Sequence, residues 1–178
     1  VDILKTNLAN DNNEVSFEGS ASRDRRGLDD LRINSFSRRY IYHLLARLTA
    51  YVEIQSGKSP DPFPGLVDRT VKNPFDIEHI SPDDFSRYRG LFANSTDFQN
   101  WRNHVAGLLL LPADVNRSLK AKSFDEKAPH YAKQNFYAGS LTESVYLHQP
   151  QFLAFRDRHH LPFEHFDSFG IAEQAKRL

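Results

Sequence analysis

The sequence predicts an α+β fold, predominantly helical, in which a small antiparallel β-hairpin and the helix after it pack among flanking helices. Three observations carry this. Residues 74–81, PFDIEHIS, alternate apolar and polar side chains at the two-residue period of a half-buried strand. Residues 104–112, HVAGLLLLP, are an apolar run of strand length stopped by Pro112. Phe36, Tyr40, Leu44, Leu48 and Val52 recur every four residues, a helical stripe widened by Ile41, Leu45 and Tyr51.

Residues 1–30 are polar and rich in Asn, Asp and Ser, and read as a linker or a short strand pair. Their basic RDRRG, residues 23–27, reads as a solvated turn before it reads as a phosphate contact. The first helix spans 34–55, with Asn34 or Ser35 as cap and Gly57 as its end; His43 within it reads as a packed or rim side chain. SGKSPDPFPG, residues 56–65, is a loop by its Pro and Gly content. The opening strand follows at 74–81, then short helices at 85–91 and 97–103, then the apolar strand. A helix begins near Asp114 and carries Asn116. SFDE at 123–126 has capping-box spacing and starts a helix bearing Lys127, Tyr131 and Lys133. Two more helices are expected at 151–160 and 168–178, the last ending in Lys176 and Arg177, charges that suit a helix C-terminus. The division expected is a terminal segment, 1–30, and one domain, 31–178. That domain has a hairpin–helix core at about 73–135 and flanking helices at 34–55 and 151–178.

A chain of 178 residues buries enough surface to need no covalent staples. It has no cysteine, which excludes disulfides and thiolate zinc sites and suits a cytoplasmic protein. No apolar run reaches membrane-spanning length and no secretory signal is visible, so no membrane partner is expected. The chain begins with Val and contains no Met, so it is expected to be a piece excised from a longer protein. A formal charge of zero argues against a large basic footprint but not against a local one.

The chemistry concentrates in FDIEHISPDDF, residues 75–85. Asp76, Glu78 and His79 crowd a half-buried strand, where ionisable groups are costly unless they are paired or hold metal. An antiparallel strand followed at once by a helix brings Glu78 and His79 within reach of Asn116. An imidazole suits proton abstraction near neutral pH. A carboxylate and an amide oxygen suit a hard cation that keeps several waters. Together these are the requirements of phosphodiester hydrolysis. Asp76 shares the strand face of Glu78 and is a further candidate ligand. Glu78 and His79 are neighbours, so on a regular strand they point apart; Pro82 allows the strand to end there. Arg117, Lys120, Lys122, Lys127 and Lys133 form a basic run broken by Asp125 and Glu126. By default this is a solvated helix face, and beside a metal it is a phosphate grip to which Arg102 adds. Trp101, the single tryptophan, reads as core, and His159–His160 lacks the spacing of helical ligands.

The ordered set FDIEHISP, NHVAGLLLLPADVN and SFDEK resembles the HNH (His-Me finger, ββα-metal) nuclease domain. More narrowly, it resembles the C-terminal domain of GmrSD-type modification-dependent restriction proteins of phage defence. Carried over residue by residue, the resemblance implies His79 as general base and Glu78 and Asn116 as metal ligands. Asp76 falls at an acidic position often seen two residues before the ligand, and Phe124 and Lys127 match a Phe-x-x-Lys element. It implies one Mg2+ or Mn2+, DNA as substrate, and a nucleotide-hydrolysing domain N-terminal in the parent chain. The DNA-binding set expected from the basic run is Arg117, Lys120, Lys122, Lys127 and Arg102. The family's Asn before its Leu-x-Leu-Leu falls on Gly107, so the group orienting His79 is either Asn103 or a backbone carbonyl near Gly107. A second family Asn falls on Ala121. The alternative is a DNA-binding or protein-docking module whose nuclease centre has decayed, and an RNA nuclease is not separable from a DNA nuclease at this level.

Overall fold

The structure is a computed structural model and describes residues 19–20, 25–26 and 28–177. The chain divides into two compact units, Val1–Leu31 and Arg32–Leu178. In the first, β1 (Gly19–Ser20) pairs antiparallel with β2 (Arg25–Arg26), and a 3-10 turn follows at Leu28–Asp30. Of RDRRG, only Arg25 and Arg26 fall in β2; Arg23, Asp24 and Gly27 lie outside the described residues.

The second unit is the helical one. Helix α1 (Arg38–Gln55) opens it. Asn34 does organise its start, its Oδ1 accepting from the N–H groups of Phe36 and Ser37, but as a turn ahead of the helix. Gly57 closes the other end with φ +89°, a conformation costly for any residue with a Cβ. The buried face differs from the expected stripe. Ile41, Leu45, Ala46, Thr49, Ala50, Val52 and Glu53 are inside, whereas Phe36 and Tyr40 are 88% and 74% exposed. The inward face is rotated because α1 must lie against the hairpin and a later short helix. The expected loop contains α2 (Phe63–Val67), begun by prolines that cannot continue an earlier helix.

The hairpin is β3 (Phe75–His79) against β4 (Leu108–Pro112), antiparallel, with Asp76 opposite Leu111, Glu78 opposite Leu109 and His79 opposite Leu108. Ile80 N–H continues the ladder by donating to the Gly107 carbonyl at 3.0 Å. Leu108 to Leu111 are at most 1% exposed. Burial on both faces accounts for their unbroken apolar run, each side chain contributing about 1.5–3 kcal/mol. Between the strands, residues 85–91 form a 3-10 turn at Phe85–Tyr88 rather than a helix, and α3 is Ser95–Arg102, capped by Asn94. Trp101 packs there in a cluster with Tyr88, Phe92 and Phe98.

Pro112 ends β4 and α4 (Ala113–Leu119) starts at once, so its first turn lies beside β3. Helix α5 (Phe124–Tyr131) carries the expected capping box between Ser123 and Glu126. Two short helices not expected from periodicity, α6 (Phe136–Gly139) and α7 (Glu143–His148), precede α8 (Pro150–Arg158) and α9 (Ile171–Lys176). Four and six residues are too few to show a helical period.

Candidate functional site

Where β3 ends and α4 begins, a depression of about 280 Å³ is lined by Ile77, Glu78, His79, Asp83, Arg102, Asn116, Lys120 and Ala121. The strand stops at His79, so the neighbours Glu78 and His79 both reach it despite strand alternation.

His79 Nε2–H donates to Asn103 Oδ1 at 3.0 Å. The amide is fixed in that sense because its Nδ2 faces Gln99 Oε1 and its oxygen also receives Arg102 Nη1. An amide oxygen only accepts, so the proton sits on Nε2 and the Nδ1 lone pair is left over. Burial first, then the Arg102 charge, push the imidazole down to about 4, while the Asn103 bond opposes them. His79 is therefore neutral at ordinary pH. The Gly107 carbonyl, the other candidate for orienting it, is taken by Ile80 N–H. A Cβ at 107 would lie 3.0 Å from Gln174 Oε1 and 3.2 Å from the Arg102 carbonyl. Gln174 is held there by donating from Nε2 to the Trp101 carbonyl at 2.7 Å.

Glu78 is 4% exposed. Its Oε1 lies 2.7 Å from Lys127 Nζ and accepts from the Tyr131 hydroxyl at 3.0 Å. Burial pushes the Glu78 carboxyl up, against the pull of Lys127, Tyr131 and Arg102. Asn116 is pinned through Nδ2, which donates to the Ile77 carbonyl at 3.0 Å, leaving its Oδ1 turned away from that bond.

The other expected residues separate. Asp76 pairs with Arg38 at 2.7 Å and lines a different groove, not this depression. Lys127 is not on a solvated, phosphate-facing surface. It is 1% exposed, and its ammonium also donates to the carbonyls of His79 and Ile80. The depression needs a buried cation there because Glu78 is a buried anion. Arg102 and Lys120 line the depression; Arg117 is exposed and, like Lys122, does not line it. Lys120 caps the C-terminus of α4 at φ +31°, a strained conformation for a residue with a Cβ. Sequence reasoning missed Asp83, whose carboxylate accepts from Gln99 Nε2 at 2.6 Å, and the Tyr131 hydroxyl. A signal for the buried partners was present: Phe124, Lys127 and Tyr131 fall at i, i+3 and i+7, one face of α5. Among the described residues, no three His, Cys, Asp or Glu side chains converge as a metal cluster.

A family model for the C-terminal domain of GmrSD restriction endonucleases matches residues 21–150. The chain belongs to this family. As a GmrSD C-terminal domain it is of restriction-endonuclease type, and DNA is the substrate class that follows. The match contains every residue lining the depression. No curated protein and no solved structure matches the GmrSD domain described here. Among its described residues, no helix is long and apolar enough to cross a membrane.

Proposed function

We propose that this domain is an HNH (His-Me finger) nuclease that hydrolyses DNA phosphodiesters, nicking or cutting, with His79 as general base. The observation that carries the reading is the Nε2–H bond to Asn103, which leaves Nδ1 as the ring nitrogen with a lone pair on a residue that lines the same depression as Glu78 and Asn116. Nδ1 takes a proton from water as it attacks phosphorus. Arg102 and Lys120 hold the phosphate at the rim.

Glu78 and Asn116 are hard oxygen donors and fit one Mg2+ or Mn2+ that keeps waters and takes substrate oxygens, the usual habit of a small cation with few protein ligands. Such an ion, when bound, stabilises the charge developing on the phosphate and the leaving 3′-oxygen. Asp76, which pairs with Arg38 elsewhere, is left to act at most through water. Lys127 and Tyr131 fix the Glu78 carboxylate and temper its charge. A nucleotide-hydrolysing domain N-terminal in the parent chain, and a cytoplasmic location, go with this reading.

The test is incubation with supercoiled plasmid and Mg2+ or Mn2+, with and without chelator. Nicking that chelator abolishes is expected. One observation favours the alternative of a decayed DNA-binding or docking module: the Lys127 ammonium already sits on Glu78. DNA binding without cleavage under either metal would select it. Asn103→Ala is expected to slow nicking about 10- to 100-fold, part of the 10²–10⁴ that a general base supplies. DNA affinity in a gel-shift assay should stay unchanged. Equal nicking rates would remove Asn103 from the mechanism.

A further inference from the structure

A second groove, of about 440 Å³, opens at the other end of β3, lined in part by Arg38, Arg39, Arg69, Tyr42, His43 and Asp76. Arg38 is neutralised by Asp76. Arg39 and Arg69 pair with no carboxylate among the described residues. Arg69 is nonetheless held still. Its Nη1 donates to the Phe75 carbonyl, and its guanidinium lies 5.3 Å from the Tyr42 ring centre. The Tyr42 ring is fixed in turn by its hydroxyl, which donates to the Leu66 carbonyl at 2.6 Å. A cation preorganised without an anion is set to receive one.

We propose that this groove grips the DNA backbone beside the scissile phosphate, with Arg39 and Arg69 as its phosphate contacts. This rests on reading the depression as a nuclease centre. Asp76 and Glu78 are successive residues on one strand face, so groove and depression adjoin along β3. From Asp76 to His79 the strand rises about 10 Å, the axial length of about three nucleotides. The exposed rings of Phe36 and Tyr40, three residues before and one residue after Arg39 in the chain, favour nucleic acid over an acidic peptide, since unpaired bases stack on such rings.

The test is DNA binding by fluorescence anisotropy without divalent metal, over a series of salt concentrations. Each lost phosphate contact flattens the slope of log affinity against log salt by about 0.9. Arg39→Ala should therefore flatten it by about 0.9 and Arg39→Ala/Arg69→Ala by about 2, while Arg158→Ala, lining neither site, leaves it unchanged. Arg39 is exposed, so its variant decides the matter even if the Arg69 change disturbs the fold. Unchanged slopes, no DNA binding by the parent chain, or displacement by polyglutamate as effective as by DNA would each overturn the proposal. Full nicking by His79→Ala would sink the nuclease-centre reading and leave these slopes as they are, so the two failures are distinct.

Discussion

His79→Ala is expected to lower DNA nicking by about 10²–10⁴-fold, the share a positioned general base contributes, while DNA affinity and the unfolding midpoint stay close to the parent's. The imidazole is half-buried, and its ring makes one side-chain hydrogen bond, to Asn103, which is itself in contact with Gln99 and Arg102. Its loss therefore strands little. What disappears is the Nδ1 lone pair: Glu78 is committed through Oε1 to Lys127 and Tyr131, Asp83 accepts from Gln99 through Oδ1, and Arg102 and Lys120 are cations. The measurement is a plasmid-nicking time course beside a gel shift and a circular dichroism melt. Nicking at the parent rate by a clean preparation rejects His79 as the base. Lost binding or a collapsed melt would instead show a structural role.

The largest effect on stability is expected at Lys127. Lys127→Ala removes one partner of an ion pair whose members are 1% and 4% exposed. It leaves Glu78 buried beside Tyr131 alone and takes a donor from the carbonyls of His79 and Ile80. Breaking such a pair from one side costs about 3–5 kcal/mol, a large part of the about 5–15 kcal/mol that holds a domain together. The urea midpoint should fall accordingly. Glu78→Gln/Lys127→Met should lose less than the two single changes added together, because neither change then leaves a lone charge. A Lys127→Ala midpoint within about 1 kcal/mol of the parent would mean the ammonium is not what neutralises Glu78.

Much of this was legible because it depends on periods and on chain order. The alternation at 74–81, the proline after four leucines and the immediate helix dictate a hairpin whose first strand meets a helix start; Glu78, His79 and Asn116 follow from that. The Ser123 capping box is likewise a local pattern. What was not legible depends on partners distant in sequence. The stripe through Phe36 and Tyr40 has a helical period, yet period alone does not say which neighbouring face meets the hairpin. Asp76 shares a face with Glu78, but Arg38, on another element, draws it to the neighbouring groove. Lys127 looked solvated because a lysine usually is. Only the placement of Glu78, 49 positions earlier, gives its charge a reason to be inside.

The contact between Gln174 and Gly107 bears on where the working unit stops. Recognisable family resemblance ends at residue 150, yet a glutamine well past that border fills the space over residue 107 and tethers Trp101. Asn103, the acceptor on which the imidazole leans, lies between those two anchor points. A protein trimmed at the border would keep every residue of the depression and lose the buttress behind it.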